Sequence, residues 1–199
     1  MTYRDIPNLI TLLRILLVPP FLFVLLGGHY SVALLLFLAA GLSDGLDGFL
    51  AKHYGWTSRL GSILDPLADK LLLMASFLSL TQLGLIPFWL TAVVLGRDVL
   101  IVVGAIIYHF FIGSFHLVPA ILSKINTLVQ ILLVLVVIIT AGAEQTYLGE
   151  WMVQGLICLT LGTTVLSGAH YVALWGQRAI IARHAALTLS QSISPDLNE

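Results

Sequence analysis

The sequence predicts an all-α integral membrane protein with six transmembrane helices and both termini in the cytoplasm. Three observations predict it. Of 199 residues, 59% are apolar and only 10% are charged, where a soluble domain carries about 25% charged residues, and the mean hydropathy is +1.02. Apolar stretches near the ~20 residues that cross a bilayer recur along the whole chain. The cations collect in alternate links between those stretches.

The first span covers residues 8–26 and ends at Gly27-Gly28. Its apolar run is long for a signal sequence and contains Arg14, so it reads as a retained span. The next spans cover residues 31–51, 61–83, 87–111, 123–140 and 148–175. Arg4 precedes the first span, Lys52 and Arg59 lie between the second and third, and Lys124 follows the link after the fourth. Arg178 and Arg183 follow the sixth, whereas residues 27–30, 84–87 and 141–147 contain no Lys or Arg. The positive-inside rule then places both termini inside. Tyr30, Trp89, Tyr147 and Trp151 fall near outer ends, and Tyr54, Trp56 and Trp175 near inner ends, as rings that favour the headgroup zone do. Residues 1–189 read as one transmembrane domain, and residues 190–199, polar and containing Pro195, as a disordered tail.

Composition also excludes functions. A net charge of -1 leaves no basic face for nucleic acid. Cys158 is the only cysteine, which excludes an internal disulfide and a Cys-based metal cage. Its apolar setting predicts a packed thiol. Gly41 and Gly104 read as small residues packed between helices.

The chemistry lies in residues 44–52 and 61–70. Asp44, Asp47, Asp65 and Asp69 are four of the chain's ten acids, and all border or enter apolar spans. A carboxylate at membrane depth costs ~2.5–3.5 kcal/mol, so four cost on the order of 10 kcal/mol before repulsion. Cations must compensate them. Asp44 and Asp47 are spaced i,i+3 and Asp65 and Asp69 i,i+4, so each pair shares a helix face. The short link makes the two helices antiparallel neighbours whose pairs meet near the cytoplasmic end. Four carboxylates form a hard-oxygen site suited to Mg²⁺ or Mn²⁺. They can hold two such ions, an arrangement suited to displacement at phosphorus. Gly45, Gly48 and Gly61 leave room beside them for a base or diphosphate, and Lys52 can reach a phosphate. A cation transporter is the rival class, because intramembrane carboxylates also mark ion pathways. Its acids would be spread over several spans, whereas these crowd at one end of two.

This stretch resembles the signature of the CDP-alcohol phosphatidyltransferases, Asp-x2-Asp-Gly-x2-Ala-Arg-x8-Gly-x3-Asp-x3-Asp. Asp44, Asp47, Gly48, Ala51, Gly61, Asp65 and Asp69 match with every spacing intact, and Lys52 stands where the family usually has Arg. Lys keeps the charge but loses the bidentate fork. The resemblance implies six transmembrane helices, a cytoplasmic-side active site and, often, a homodimer. It implies transfer of a phosphatidyl group from CDP-diacylglycerol to an alcohol with release of CMP, assisted by two divalent cations, Mg²⁺ or Mn²⁺. It implies metal ligation by Asp44, Asp47, Asp65 and Asp69, with Asp69 also the base that deprotonates the acceptor hydroxyl. It places Asp47, Gly48, Ala51, Lys52 and Gly61 around CDP. Asn8, Thr11 and Arg14 resemble the family's N-terminal Asn-x2-Thr-x2-Arg segment, which faces the same site. Arg14 has a second reading, as an anchor snorkelling to the inner interface.

Residues 6–9, 64–70, 97–99 and 123–127 are most similar to the cardiolipin synthases of this family, whose acceptor is phosphatidylglycerol. The related phosphatidylglycerophosphate synthases use glycerol 3-phosphate and tend to carry Arg-Glu where this chain has Arg97-Asp98, with further cations downstream. Here span four is apolar after Asp98 as far as Tyr108, which favours an acceptor with a less charged head. Arg97 and Lys124 are the expected acceptor-binding residues. Arg97 and Asp98 could also form a satisfied pair that braces helices, and Lys124 could contact lipid headgroups. In a bacterium the protein would sit in the inner membrane.

Overall fold

The computed structural model describes the backbone of residues 6–54, 61–112, 121–143 and 147–193, and side chains within residues 10–43, 68–104, 121–143 and 149–174. Six helices follow in order: α1 (Ile6–Leu26), α2 (Tyr30–Tyr54), α3 (Gly61–Gln82), α4 (Phe88–Ile112), α5 (Ile121–Gly142) and α6 (Tyr147–Ile193). They match the six apolar stretches of the sequence. Among the described residues, α5 and Gly149–Leu174 of α6 are long and apolar enough to cross a membrane, and Ile10–Leu26 and Tyr30–Ser43 are shorter apolar stretches.

Local chemistry sets the turns. The Gly28 amide donates to Leu25 O and the His29 amide to Val24 O, with Gly28 at φ 76°. The Gly84 amide donates to Thr81 O and the Leu85 amide to Leu80 O, with Gly84 at φ 72°. Both are left-handed glycine caps that satisfy the last carbonyls of a helix. They close α1 and α3 at the same end of the bundle.

The helices form a ring in the order α1, α2, α5, α6, α4, α3, and α3 also reaches α2 and α5 across the middle. The interior has two halves. Near the glycine caps it is mainly apolar, with Phe21, Leu25, Phe37, Phe77, Leu80 and Leu133 buried together and the small hydroxyls of Ser76, Ser79 and Thr91 among them. Toward the other end Thr11, Arg14, Arg97, Asp98 and Asn126 are buried. The outer surface is the reverse, with Phe23 83% and Leu35 66% exposed while Arg14 is 0% exposed. A chain in water would carry contiguous apolar surface of that kind only as a liability. In lipid the exterior is as apolar as the core, and packing and interior polar bonds hold the helices together.

Three features differ from the sequence reading. α6 does not stop near residue 175 but continues to Ile193, through the first four residues of the polar tail. At 47 residues it is about 70 Å long. Cys158 is exposed on the outer face of α6 rather than packed. Gly41 meets open space rather than a neighbouring helix.

Candidate active site

The site begins with the inward face of α1. Thr11, Arg14, Phe21 and Leu25 are its buried positions, and steps of three, four and seven residues keep them on one side of a helix. Arg14 therefore points into the ring, and its Nη1 donates to Asp69 Oδ1 of α3 at 2.6 Å. The Asp69 side chain is 43% exposed whereas that of Arg14 is 0% exposed. The guanidinium thus closes the inner side of an accessible carboxylate. This geometry argues against the snorkelling reading of Arg14, because such an anchor would expose its head.

A second charged group sits alongside. Lys70 Nζ lies 2.6 Å from Asp98 Oδ1 of α4, and Arg97 Nη1 donates to the same oxygen at 2.7 Å. Arg97 Nη2 donates to Ser123 Oγ of α5 at 2.8 Å and to Ser167 Oγ of α6 at 2.5 Å. The guanidinium also lies 5.9 Å from the centre of the Tyr171 ring, a cation–π approach. Gly168 lies alongside, where a Cβ would stand in ordinary contact at 3.6 Å from Arg97 Cγ. Arg14, Asp69, Lys70, Asp98 and Arg97 alternate in sign across α1, α3 and α4. The sequence paired Arg97 with Asp98 but gave no sign that Lys70 joins them. Residues 28 apart on two helices carry no periodic signal.

The remaining candidates divide by what is described. Thr11 is buried on the Arg14 face. Lys124 is exposed at the start of α5. It shares a shallow depression with Ser123, Thr127, Leu128 and Ile131. The side chains of Asn8, Asp44, Asp47, Gly48, Ala51, Lys52, Gly61 and Asp65 lie outside the described residues, so their contacts are expectations from sequence. Their backbone positions are described. Asp47 lies seven residues before the end of α2, and Asp65 and Asp69 lie four and eight residues after the start of α3. At 1.5 Å per residue these are depths of about 10, 6 and 12 Å. Arg14, eight residues into α1, is also about 12 Å deep. With Asp44 ten residues before the end of α2, the aspartate segments and the Arg14 position all lie within about 15 Å of the helix ends on that side of the ring.

The short link does not make α2 and α3 ring neighbours, since both flank α1 and meet only across the middle. As a donor set, four carboxylates on two such antiparallel helices still fit hard divalent cations. Among the described residues no group of three metal-ligating side chains occurs, and Asp69 is the one member of the expected set that is described.

Sequence reasoning missed a row of buried polar side chains along the α5–α6 seam. Asn126 Oδ1 accepts from the Thr163 and Thr164 hydroxyls, both at 2.9 Å. Gln130 and Thr160 are buried close by. The signal was present, as polar residues every three or four positions in two otherwise apolar helices.

Residues 4–166 match the family model for CDP-alcohol phosphatidyltransferase. The chain is 38% identical over 183 residues to the cardiolipin synthase (CMP-forming) of Rattus norvegicus, covering 83% of this chain and 60% of that protein. It is 31% identical over 176 residues to a probable phosphatidylglycerophosphate synthase of Mycobacterium tuberculosis, covering 85% of this chain and 80% of the relative. It is 39% identical over 130 residues to the CDP-diacylglycerol–glycerol-3-phosphate 3-phosphatidyltransferase of Aquifex aeolicus, covering 62% of this chain and 70% of the relative. The chain thus spans about 60% of the length of the mammalian proteins it matches. A match over most of the chain, joined to the intact aspartate spacing, is decisive: the chain belongs to the CDP-alcohol phosphatidyltransferase family.

Proposed function

We propose that this protein transfers the phosphatidyl group of CDP-diacylglycerol to an alcohol and releases CMP, with phosphatidylglycerol as the acceptor. The observation that supports the reading is the buried Arg14 on Asp69, which holds one oxygen of the expected base while the carboxylate stays accessible. In this reading six helices cross the bilayer, both termini are cytoplasmic, and the site opens to the cytoplasm. Relatives with long matches to this chain support a lipid substrate and favour transfer over cation transport.

Asp44, Asp47, Asp65 and Asp69 would hold two divalent cations, Mg²⁺ or Mn²⁺, which supply charge compensation for the attacking and leaving oxygens. The residues of this chain do the rest. Asp69 takes the proton from the acceptor hydroxyl. Arg14 orients that carboxylate. Gly48, Ala51 and Gly61 leave space for the cytidine, and Lys52, Asn8 and Thr11 line the CDP side. Arg97 and Lys124 receive the acceptor's phosphate and are linked through Ser123, which bonds Arg97 and borders the same depression as Lys124. Phosphate capture by Arg97 exchanges its serine bonds for charge-assisted ones.

A second acceptor, glycerol 3-phosphate, is favoured by the names of the Mycobacterium tuberculosis and Aquifex aeolicus relatives. The apolar run after Asp98 argues for the less charged head. Mass spectrometry of products from CDP-diacylglycerol with both acceptors in competition tests the choice. A cardiolipin product with CMP is expected. Phosphatidylglycerophosphate as the dominant product would reverse the acceptor, and no CMP release with either would end the transfer reading.

A further inference from the structure

α5 and α6 run antiparallel with polar side chains at matched steps. Ser123 and Ser167 share Arg97 Nη2. One turn along, Asn126 meets Thr163 and Thr164. The next turn brings Gln130 opposite Thr160, and there the bonding stops. Asn126 Nδ2, Gln130 Nε2 and Thr160 Oγ1 are buried with no hydrogen-bond partner. The three residues are 0%, 3% and 0% exposed. Donors sealed from water in this way persist only where something else satisfies them.

Their position indicates what that is. Asn126 and Gln130 continue, at helical spacing, the α5 stripe of Leu133, Val134 and Val137 that packs into the core. They therefore face the interior of the ring. A Cβ on Gly142 of α5 would stand 3.0 Å from Tyr30 Cβ of α2, so those two residues are level. Counting about 18 Å down both helices from that contact puts Gln130 at the depth of Leu42, and about 24 Å puts Asn126 at the depth of Leu46. Asn126 is thus at the depth of the Asp44–Asp47 segment. Gln130 is one turn, about 5.4 Å, farther toward the apolar core.

The ligand chemistry follows from depth and charge. Neutral amide and hydroxyl groups suit a neutral acceptor rather than a phosphate, which the charged Arg97 one turn away is better placed to serve. In a glycerolipid joined through its phosphate, the first neutral acceptors beyond that phosphate are the ester carbonyls on the adjacent glycerol carbons. We propose that Asn126, Gln130 and Thr160 form a binding site for an ester carbonyl of a glycerolipid substrate. The proposal rests on the transfer reading above, and the lipid is either the CDP-linked donor or the acceptor.

Replacing ester by ether linkages removes the carbonyl and leaves the rest of the lipid intact. The full chain is assayed by CMP release in two arms. The first compares CDP-diacylglycerol with CDP-dialkylglycerol at a fixed acceptor. The second compares diacyl with dialkyl phosphatidylglycerol at a fixed donor. An increase in KM of about fivefold for the ether lipid is expected in one arm, as for one lost neutral hydrogen bond, and that arm names the lipid. Gln130→Leu and, independently, Thr160→Val should bring the ester-to-ether ratio close to one. A general loss of folding would lower turnover for both lipids without changing the ratio. Equal KM values in both arms of an active enzyme, or a preference that survives both variants, would overturn the proposal and leave the seam to resident water. An absence of CMP release from every donor would overturn the transfer reading, and the proposal with it.

Discussion

Arg14 and Asp69 are 55 positions apart and meet at 2.6 Å, with the arginine fully buried and the aspartate half-exposed. The asymmetry has a physical consequence. The guanidinium cannot turn to water, so it holds the carboxylate from below while the other side remains accessible. Arg14→Met should lower turnover by at least tenfold and destabilise the protein by no more than about 1 kcal/mol, because the carboxylate it leaves is 43% exposed and can be solvated. Arg14→Lys should recover stability better than activity, because an ammonium carries the charge without the planar fork. Thermal unfolding in detergent and CMP release kinetics measure the two effects. In a double-mutant cycle, Arg14→Met with Asp69→Asn should be less than additive in turnover.

The proposed split between ligands and base makes a separate prediction. Asp65→Asn should abolish both Mn²⁺ binding, followed by calorimetry, and CMP release. Asp69→Asn should abolish CMP release while retaining more of the metal affinity. Equal losses of affinity would remove the distinct role of Asp69. Chelation should stop the wild-type reaction, and added Mg²⁺ or Mn²⁺ should restore it.

The sequence made the helices legible because each apolar stretch is bounded by glycine, proline or charge. Gly28 and Gly84 fall at the two left-handed caps, next to where hydropathy ends α1 and α3. The aspartates were legible because charge in an apolar span has a steep cost. Partners across helices were not. Lys70 on Asp98, or Asn126 beneath Thr163 and Thr164, depends on the order of helices around the ring. Only tertiary packing fixes that order. The end of α6 was not legible either, because the apolar run fades into Gln177, Arg178, Arg183 and His184 while the helix continues to Ile193.

The glycine caps provide a test of fold independent of chemistry. Gly84 has φ 72° and open space where a Cβ would stand, so strain alone opposes a side chain there. Gly84→Ala should cost about 1 kcal/mol with KM and kcat retained. A change in KM would mean that the α3–α4 turn communicates with the site.

Lys124 tests the acceptor side. It is exposed, so Lys124→Ala should leave thermal stability within about 0.5 kcal/mol. If Lys124 receives the acceptor's phosphate, KM for the acceptor should rise several-fold while KM for CDP-diacylglycerol stays fixed. Equal changes in both constants would assign Lys124 to general attraction of anionic lipid.

Asp98 carries the largest structural prediction. Its Oδ1 serves Lys70 at 2.6 Å and Arg97 at 2.7 Å, and its side chain is 11% exposed. Lys70 is 41% exposed and can turn to solvent or headgroups, but Arg97 is 6% exposed and cannot. Asp98→Ala therefore strands one buried cation, which costs about 3–5 kcal/mol when a buried pair is broken from one side. Lys70→Met should cost less than about 1 kcal/mol, in line with an exposed pair. Ser123→Ala should cost about 1 kcal/mol, because Arg97 keeps its other partners. The order Asp98→Ala far above Ser123→Ala, with Lys70→Met no larger, is what chemical denaturation of the purified protein should return. If Lys70→Met proved as damaging as Asp98→Ala, the lysine and not the arginine would be the group that Asp98 is there to neutralise.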